Sequence, residues 1–342
     1  MIFLSMRLTL VLIVSLALAR NAAAEPAPLQ MKGMALGLYF AEADYKGWSF
    51  QNMLGEIRSI GADHVSLVVS WKQPDVRSVT LAPDAATTLP DARLRSLIRD
   101  AHKRGLKVFL FPIIELDVRR PLEWRGTIAP RDVSAWWTGY QKFILHYARI
   151  AAEEKVELFS VGSELLSTET WRDRWAALIS QVRKGFRGKV LYSANWDHYE
   201  KVSFWDLVDY LGVTAYNELS RSHDASEEEL TTAWRNVRAS LSAFSQKAGK
   251  PIIITEVGYT SQDGSAVHPW DYTSRSPLDL EEQRRCYAAF VTAWNGENTL
   301  AGVFWWNWFG AGGGKDTYYT PKGKPAEGIL RRWYGAGKSQ SP

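Results

Sequence analysis

Eight short apolar runs, each separated from the next by a longer helical stretch, set the strongest constraint on what this chain can fold into. The runs fall at 34–40, 64–70, 107–114, 156–163, 189–195, 209–216, 251–257 and 301–307. They are nearly continuous in aliphatic, β-branched and aromatic residues, the pattern of strands buried on both faces of a parallel sheet. Helices are expected near 49–60, 91–104, 132–154, 170–184, 201–207, 226–247, 279–295 and 325–333, the fifth being short and poorly defined. Strand and helix in alternation give right-handed βαβ units. Eight such units predict an α/β fold, a single (β/α)8 TIM barrel. Local signals agree: Ser226 with Glu229, and Asp279 with Glu282, read as capping boxes, and Gly105 closes a helix. The competing architecture is a doubly wound open sheet. It would carry a glycine-rich phosphate turn after the first strand, which Gly37-Leu38-Tyr39-Phe40 does not supply. Gly312-Gly313-Gly314 follows the last strand and opens no helix, as expected of a loop at an active site.

The barrel is expected over 25–335. Before it, Arg7 precedes an apolar run from Leu8 to Leu18, too short to span a bilayer comfortably. Ala22-Ala23-Ala24 then offers a small-residue cleavage site, so residues 1–24 read as a secretory signal peptide. The mature protein is expected to be exported, periplasmic or secreted, with no membrane anchor, and to be a monomer. Removing 1–24 deletes Arg7 and Arg20 and no acid, leaving 39 Lys+Arg against 37 Asp+Glu. This near balance, with no Lys/Arg block, gives no support to a nucleic-acid partner. Cys286 is the only cysteine, so no internal disulfide is possible. Residues 336–342 are expected to be a disordered tail.

Two glutamates stand out. Glu164, in Val161-Gly162-Ser163-Glu164-Leu165, and Glu256, in Ile254-Thr255-Glu256-Val257-Gly258-Tyr259, each follow a buried run. A carboxylate there must offset its desolvation, which is easiest to explain by a chemical role. In a barrel they would face one another across the mouth at the carboxyl ends of strands four and seven. Two carboxyl groups so placed suit glycoside hydrolysis, one as acid/base and one as nucleophile when they stand about 5–5.5 Å apart. The sixteen tryptophans, fourteen tyrosines and thirteen phenylalanines fit a sugar site, because indoles stack on the apolar faces of sugar rings. Packing accounts equally well for any one of them, and best for Trp175, Trp234 and Trp294.

These motifs resemble the strand-four and strand-seven signatures of the large clan of retaining (β/α)8 glycosidases. Within it the chain is most similar to glycoside hydrolase family 113, the β-mannanase family. Trp124-Arg125-Gly126, Tyr192-Ser193-Ala194-Asn195-Trp196, Gly212-Val213-Thr214-Ala215-Tyr216 and Phe304-Trp305-Trp306-Asn307-Trp308 extend the likeness, as does Tyr319-Thr320-Pro321-Lys322-Gly323-Lys324-Pro325-Ala326. The resemblance implies Glu164 as general acid/base, Glu256 as nucleophile, and Tyr216 as a donor that orients Glu256. It departs at Ser163, where many members of the clan have asparagine for the sugar 2-hydroxyl; Asn195 could supply an amide instead. Trp71, Trp124, Trp196, Trp306, Trp308 and Asn217 also follow strands and are candidate substrate contacts, with Trp306 and Trp308 sharing a parity. Glu115 and Asp117 after strand three read first as ion-pair partners of Arg119 and Arg120, and Lys322 as solvated. The six histidines show no metal-ligand spacing, so neither a metal nor another cofactor is expected. No Gly-x-Ser-x-Gly elbow supports a serine hydrolase. The expected partner is a β-linked polysaccharide or oligosaccharide, with β-1,4-mannan first by resemblance. A carbohydrate-binding barrel without turnover is the alternative, with Ser163 its best argument.

Overall fold

The computed structural model describes residues 29–39 and 49–335; the expected signal peptide and the 336–342 tail lie outside them. The apolar runs form eight strands: β1 Met31–Gly37, β2 His64–Gln73, β3 Lys107–Leu116, β4 Leu158–Ser163, β5 Lys189–Asn195, β6 Tyr210–Thr214, β7 Ile252–Val257 and β8 Leu300–Trp305. Each pairs in parallel with the next, and β8 pairs with β1. The barrel is therefore closed and leaves no sheet edge open. Around it run α1 Phe50–Ser59, α2 Asp91–Lys103, α3 Val133–Glu153, α4 Arg172–Gly185, α5 Glu227–Ala248, α6 Leu280–Trp294 and α7 Pro325–Tyr334.

Two layers of core hold this ring. Inside it, Ala35, Val68, Phe109, Phe111, Ile253 and Phe304 belong to one apolar cluster. Phe109 stacks on Phe111 at 4.9 Å and meets Phe304 at 5.1 Å. The filling is tight enough to require glycine at position 33, where a Cβ would lie 2.3 Å from the Phe304 ring. Outside the ring, indoles pack the helix layer: Trp136 stacks on Tyr140, and Trp175 on Phe204 at 4.7 Å. Trp175, Trp234 and Trp294 are buried, as expected of packing residues. Such pairs add about 0.5–1.5 kcal/mol each beyond the area they bury.

The chain departs from expectation in three places. The fifth helix is two isolated 3-10 turns, Tyr199–Lys201 and Trp205–Leu207. So short a segment depends on tertiary packing to stay helical, and Phe204 is held instead by its stack on Trp175. Ser226 and Glu229 do form the reciprocal capping box. At α6, by contrast, Asp279 caps the backbone of Glu281 and Glu282 alone, because the Glu282 carboxylate turns away to accept from Gly264 and Ala266 N–H. Finally, the β8 ladder stops at Trp305, before the Trp306–Asn307 peptide, which is cis. Gly105 adopts φ 71° after α2 and so takes the expected helix-closing role.

Candidate active site

The carboxyl ends of β4, β6 and β7 bring the two glutamates together. Glu164 sits one residue past β4 with φ 55°, a left-handed conformation unusual for a residue with a side chain. Hydrogen bonds fix it there: its N–H donates to Ser193 C=O at 2.8 Å, and the next N–H, of Leu165, donates to the Tyr192 hydroxyl at 2.8 Å. Glu256 lies within β7, paired in register with Thr214 of β6. Both glutamates are buried, 8% and 7% exposed.

The end of β6 serves both of them. The Thr214 hydroxyl donates to Glu164 Oε1 at 2.6 Å, and the Tyr216 hydroxyl donates to Glu256 Oε2 at 2.9 Å. Two positions apart on extended chain is about 6.6 Å and the same face. One strand end therefore carries a separate hydroxyl for each carboxylate. Burial, then the Glu256 charge, pushes the Tyr216 phenol well above its ordinary range, so it remains a donor at neutral pH.

Burial and the facing Glu164 push the Glu256 carboxyl above the ordinary carboxylate range, while Arg125 and the Tyr216 hydrogen bond pull it down. Arg125 Nε stands 3.8 Å from Glu164 Oε2. Burial would lower its pKa, but the charges of Glu164, Glu256 and Glu115 more than compensate and keep it a cation. Glu115 is raised by burial, and the Ser70 hydroxyl bonds its Oε2 at 3.2 Å. Two neighbouring carboxyl groups and a fixed cation offer an acid and a nucleophile in one place.

The remaining candidates divide between mouth and core. Ser163, 2% exposed at the end of β4, has a hydroxyl with no hydrogen-bond partner among the described residues, and so does the buried Asn217 Oδ1. Asn195 lies beside Thr214 in register, but its amide donates to Asp197 at 2.6 Å. Trp306 is half-buried and stacks on Tyr39 at 6.4 Å and 14°. Trp124 is half-buried and lies over Gly126, where a Cβ would meet its ring at 2.5 Å. Trp196 is half-buried against the helix-side core.

Trp71 and Trp308 do not reach the mouth. Trp71 faces α3, 5.2 Å from Phe143 and 5.7 Å from His146, on the outward side shared by Val65, Leu67 and Val69. Trp308 is 2% exposed, with its indole N–H on Glu56 Oε2 of α1 at 2.7 Å. The parity shared with Trp306 fails because the backbone turns over between them: Trp306 N–H donates to Val257 C=O of β7, but Trp308 N–H donates to Ala35 C=O of β1. Lys322 is not simply solvated: it binds the same Glu56 at 2.7 Å. Asp117 pairs with Lys72 at 3.0 Å rather than with Arg119 or Arg120. Thr214, Arg125, Ser70 and Tyr39 were not assigned roles from sequence. Thr214 carried a signal, standing two residues before Tyr216 and so on its face.

No curated protein matches the chain. Among solved structures it is similar to a GH113 β-1,4-mannanase determined as a complex, with 25% identity and a TM-score of 0.80 over 90% of this chain and 99% of that one. It is also similar to the GH113 β-mannanase AaManA from Alicyclobacillus acidocaldarius in complex with ManMIm, with 28% identity and a TM-score of 0.80 over 90% and 97%. A β-D-glucuronidase from Dictyoglomus thermophilum, at 16% identity and a TM-score of 0.61, shares the fold over 92% of this chain and 51% of its own. The model of Glycoside Hydrolase Family 113 matches residues 34–319, which include every strand end that builds the mouth. The chain belongs to glycoside hydrolase family 113.

Proposed function

We propose that this enzyme hydrolyses β-1,4-linked mannan or its oligosaccharides with retention of configuration, Glu256 acting as nucleophile and Glu164 as acid/base. The observation that carries this reading is the paired donation from β6: Thr214 to Glu164 and Tyr216 to Glu256. In the first step a Glu256 oxygen attacks the anomeric carbon while Glu164, as the acid, gives its proton to the departing glycosidic oxygen. The bond to the leaving sugar breaks and a glycosyl ester forms. Water then attacks that carbon, gives a proton to Glu164, and releases Glu256. Tyr216 and Arg125 favour the ionised nucleophile, and Thr214 orients the acid. The choice of mannan rests on the two mannanases of this family at 25% and 28% identity. Ser163 leaves the sugar 2-hydroxyl a shorter partner than an amide, and its hydroxyl, though unpaired among the described residues, is buried.

The same reading takes residues 1–24 as a cleaved export signal and the mature enzyme as a monomer acting in a periplasm or outside the cell. The apolar run from Leu8 to Leu18 and the small residues Ala22-Ala23-Ala24 support export. Hydrolysis of mannan, glucan and xylan oligosaccharides by wild type, Glu164→Ala and Glu256→Ala tests the chemistry. Each variant is expected to lose at least about a hundred-fold in kcat on mannan, and NMR of the first product should show the β anomer. Wild-type turnover in either variant, or an inverted first product, refutes the assignment.

A further inference from the structure

Three large aromatic side chains stand in solvent among the described residues, and all belong to the loops after β7 and β8: Trp270, Tyr272 and Tyr318, at 48%, 46% and 53% exposed. Exposing one indole is ordinary; gathering exposed rings in one rim segment is the pattern of a binding surface. These rings are also held in place. Trp270 lies 5.4 Å from the His268 ring, and Glu218 Oε1 accepts from the Trp270 indole at 3.4 Å and meets His268 Nδ1 at 3.3 Å. The Arg119 guanidinium covers Tyr272 at 5.5 Å. Arg275, anchored on the carbonyls of Tyr272, Thr273 and Ser274, covers Tyr318 at 6.0 Å.

Position in the ring makes the cluster part of the mouth. Arg119 follows β3 and Tyr272 follows β7, strands that stand opposite one another in a ring of eight. Their contact means that the loops after β3 and β7 meet across the opening. The loop is tied to the reacting end as well: Tyr319 packs on Tyr216 at 6.4 Å and donates its hydroxyl to Pro269 C=O, one residue before Trp270. A surface continuous with Tyr216, built of fixed aromatic faces with a carboxylate and an imidazole beside them, matches the C–H faces and hydroxyls of a pyranose ring.

We propose that Trp270 and Tyr272 form an outer subsite for a distal sugar unit of a β-linked polysaccharide chain, beyond the sugars that flank the scissile bond. This proposal rests on the glycosidase reading above and adds where the length of the substrate is felt. The test compares kcat/KM of wild type, Trp270→Ala, Trp270→Phe and Tyr272→Ala. The probes are the shortest mannan oligosaccharide that wild type cleaves and one several units longer; if wild type cleaves the glucan or xylan series instead, that series is used. Both alanine variants should lose about ten-fold on the long substrate and keep wild-type rates on the short one. Trp270→Phe, which keeps a stacking face, should recover most of the loss, and melting temperatures within a few degrees of wild type should exclude misfolding. Equal effects at both lengths, or none at either, overturn the subsite and leave the two-glutamate assignment standing. Failure of wild type to cleave any of the three series overturns the glycosidase reading and the subsite with it.

Discussion

Glu169 offers a sharp thermodynamic test, because its carboxyl is buried just after Glu164 and has no role in the reaction proposed above. It is 1% exposed; Oε1 accepts from the Tyr192 hydroxyl at 2.9 Å, and Oε2 has no partner among the described residues. Burial drives its pKa up to about 7, with Asp197 and Glu164 adding to the rise and Tyr192 and His198 opposing it. The folded protein therefore holds this proton more tightly than the unfolded chain. The associated stability is fully present below the unfolded value near 4.5 and is lost as pH rises through about 7. At about 1.36 kcal/mol per pKa unit, moving from pH 5 to pH 8 should remove roughly 2–3 kcal/mol through this group alone.

Glu169→Gln removes the titration while keeping an oxygen for Tyr192, which in turn accepts from Leu165 N–H. The new amide brings an unpaired N–H, about 1–3 kcal/mol unfavourable but the same at every pH. The pH dependence therefore isolates the carboxyl where the stability difference at one pH would not. Urea unfolding of both proteins at pH 5 and pH 8 should show the variant losing roughly 2–3 kcal/mol less across that interval. The reasoning fails if the two proteins lose the same stability, or if the variant loses more.

Tyr216→Phe removes the donor to Glu256 Oε2 and should lower kcat/KM about 10- to 100-fold, from a charge-assisted bond of roughly 1.5–3 kcal/mol, with little change in melting temperature. Trp308→Ala should act as a core deletion, losing about 3–5 kcal/mol of stability in urea with KM nearly unchanged. The opposite pattern would return Trp308 to the substrate surface.

The strands were legible because a barrel buries both faces of each one and so demands unbroken apolar runs; only their ends moved. That same property hid the side of the sheet on which a side chain lies. Where both faces are apolar, alternation carries no label for inside and outside. Trp71 thus read as a substrate platform until Phe143 and His146 placed it against α3. Trp308 misled for a related reason: past Trp305 the backbone turns over, so that Trp306 N–H bonds toward β7 and Trp308 N–H toward β1. Arg125 was visible only as part of a motif. Its place beside Glu164 depends on how the loop after β3 folds back, which no local pattern encodes.

The asymmetry between acids and indoles has one physical origin. A carboxylate behind a buried strand is costly to place, so two of them on separate strands argue for a role, and Glu164 and Glu256 do meet in one mouth through the hydroxyls of Thr214 and Tyr216. An indole gains free energy in almost any apolar setting, so a tryptophan after a strand says little about which setting it occupies. For residues left in water the opposite holds. A tryptophan 48% exposed, braced by His268 and Glu218 instead of folded into the nearby core, has forgone the burial that packing would supply. By this logic exposed Trp270 says more about substrate contact than buried Trp308, although sequence position alone favoured the latter.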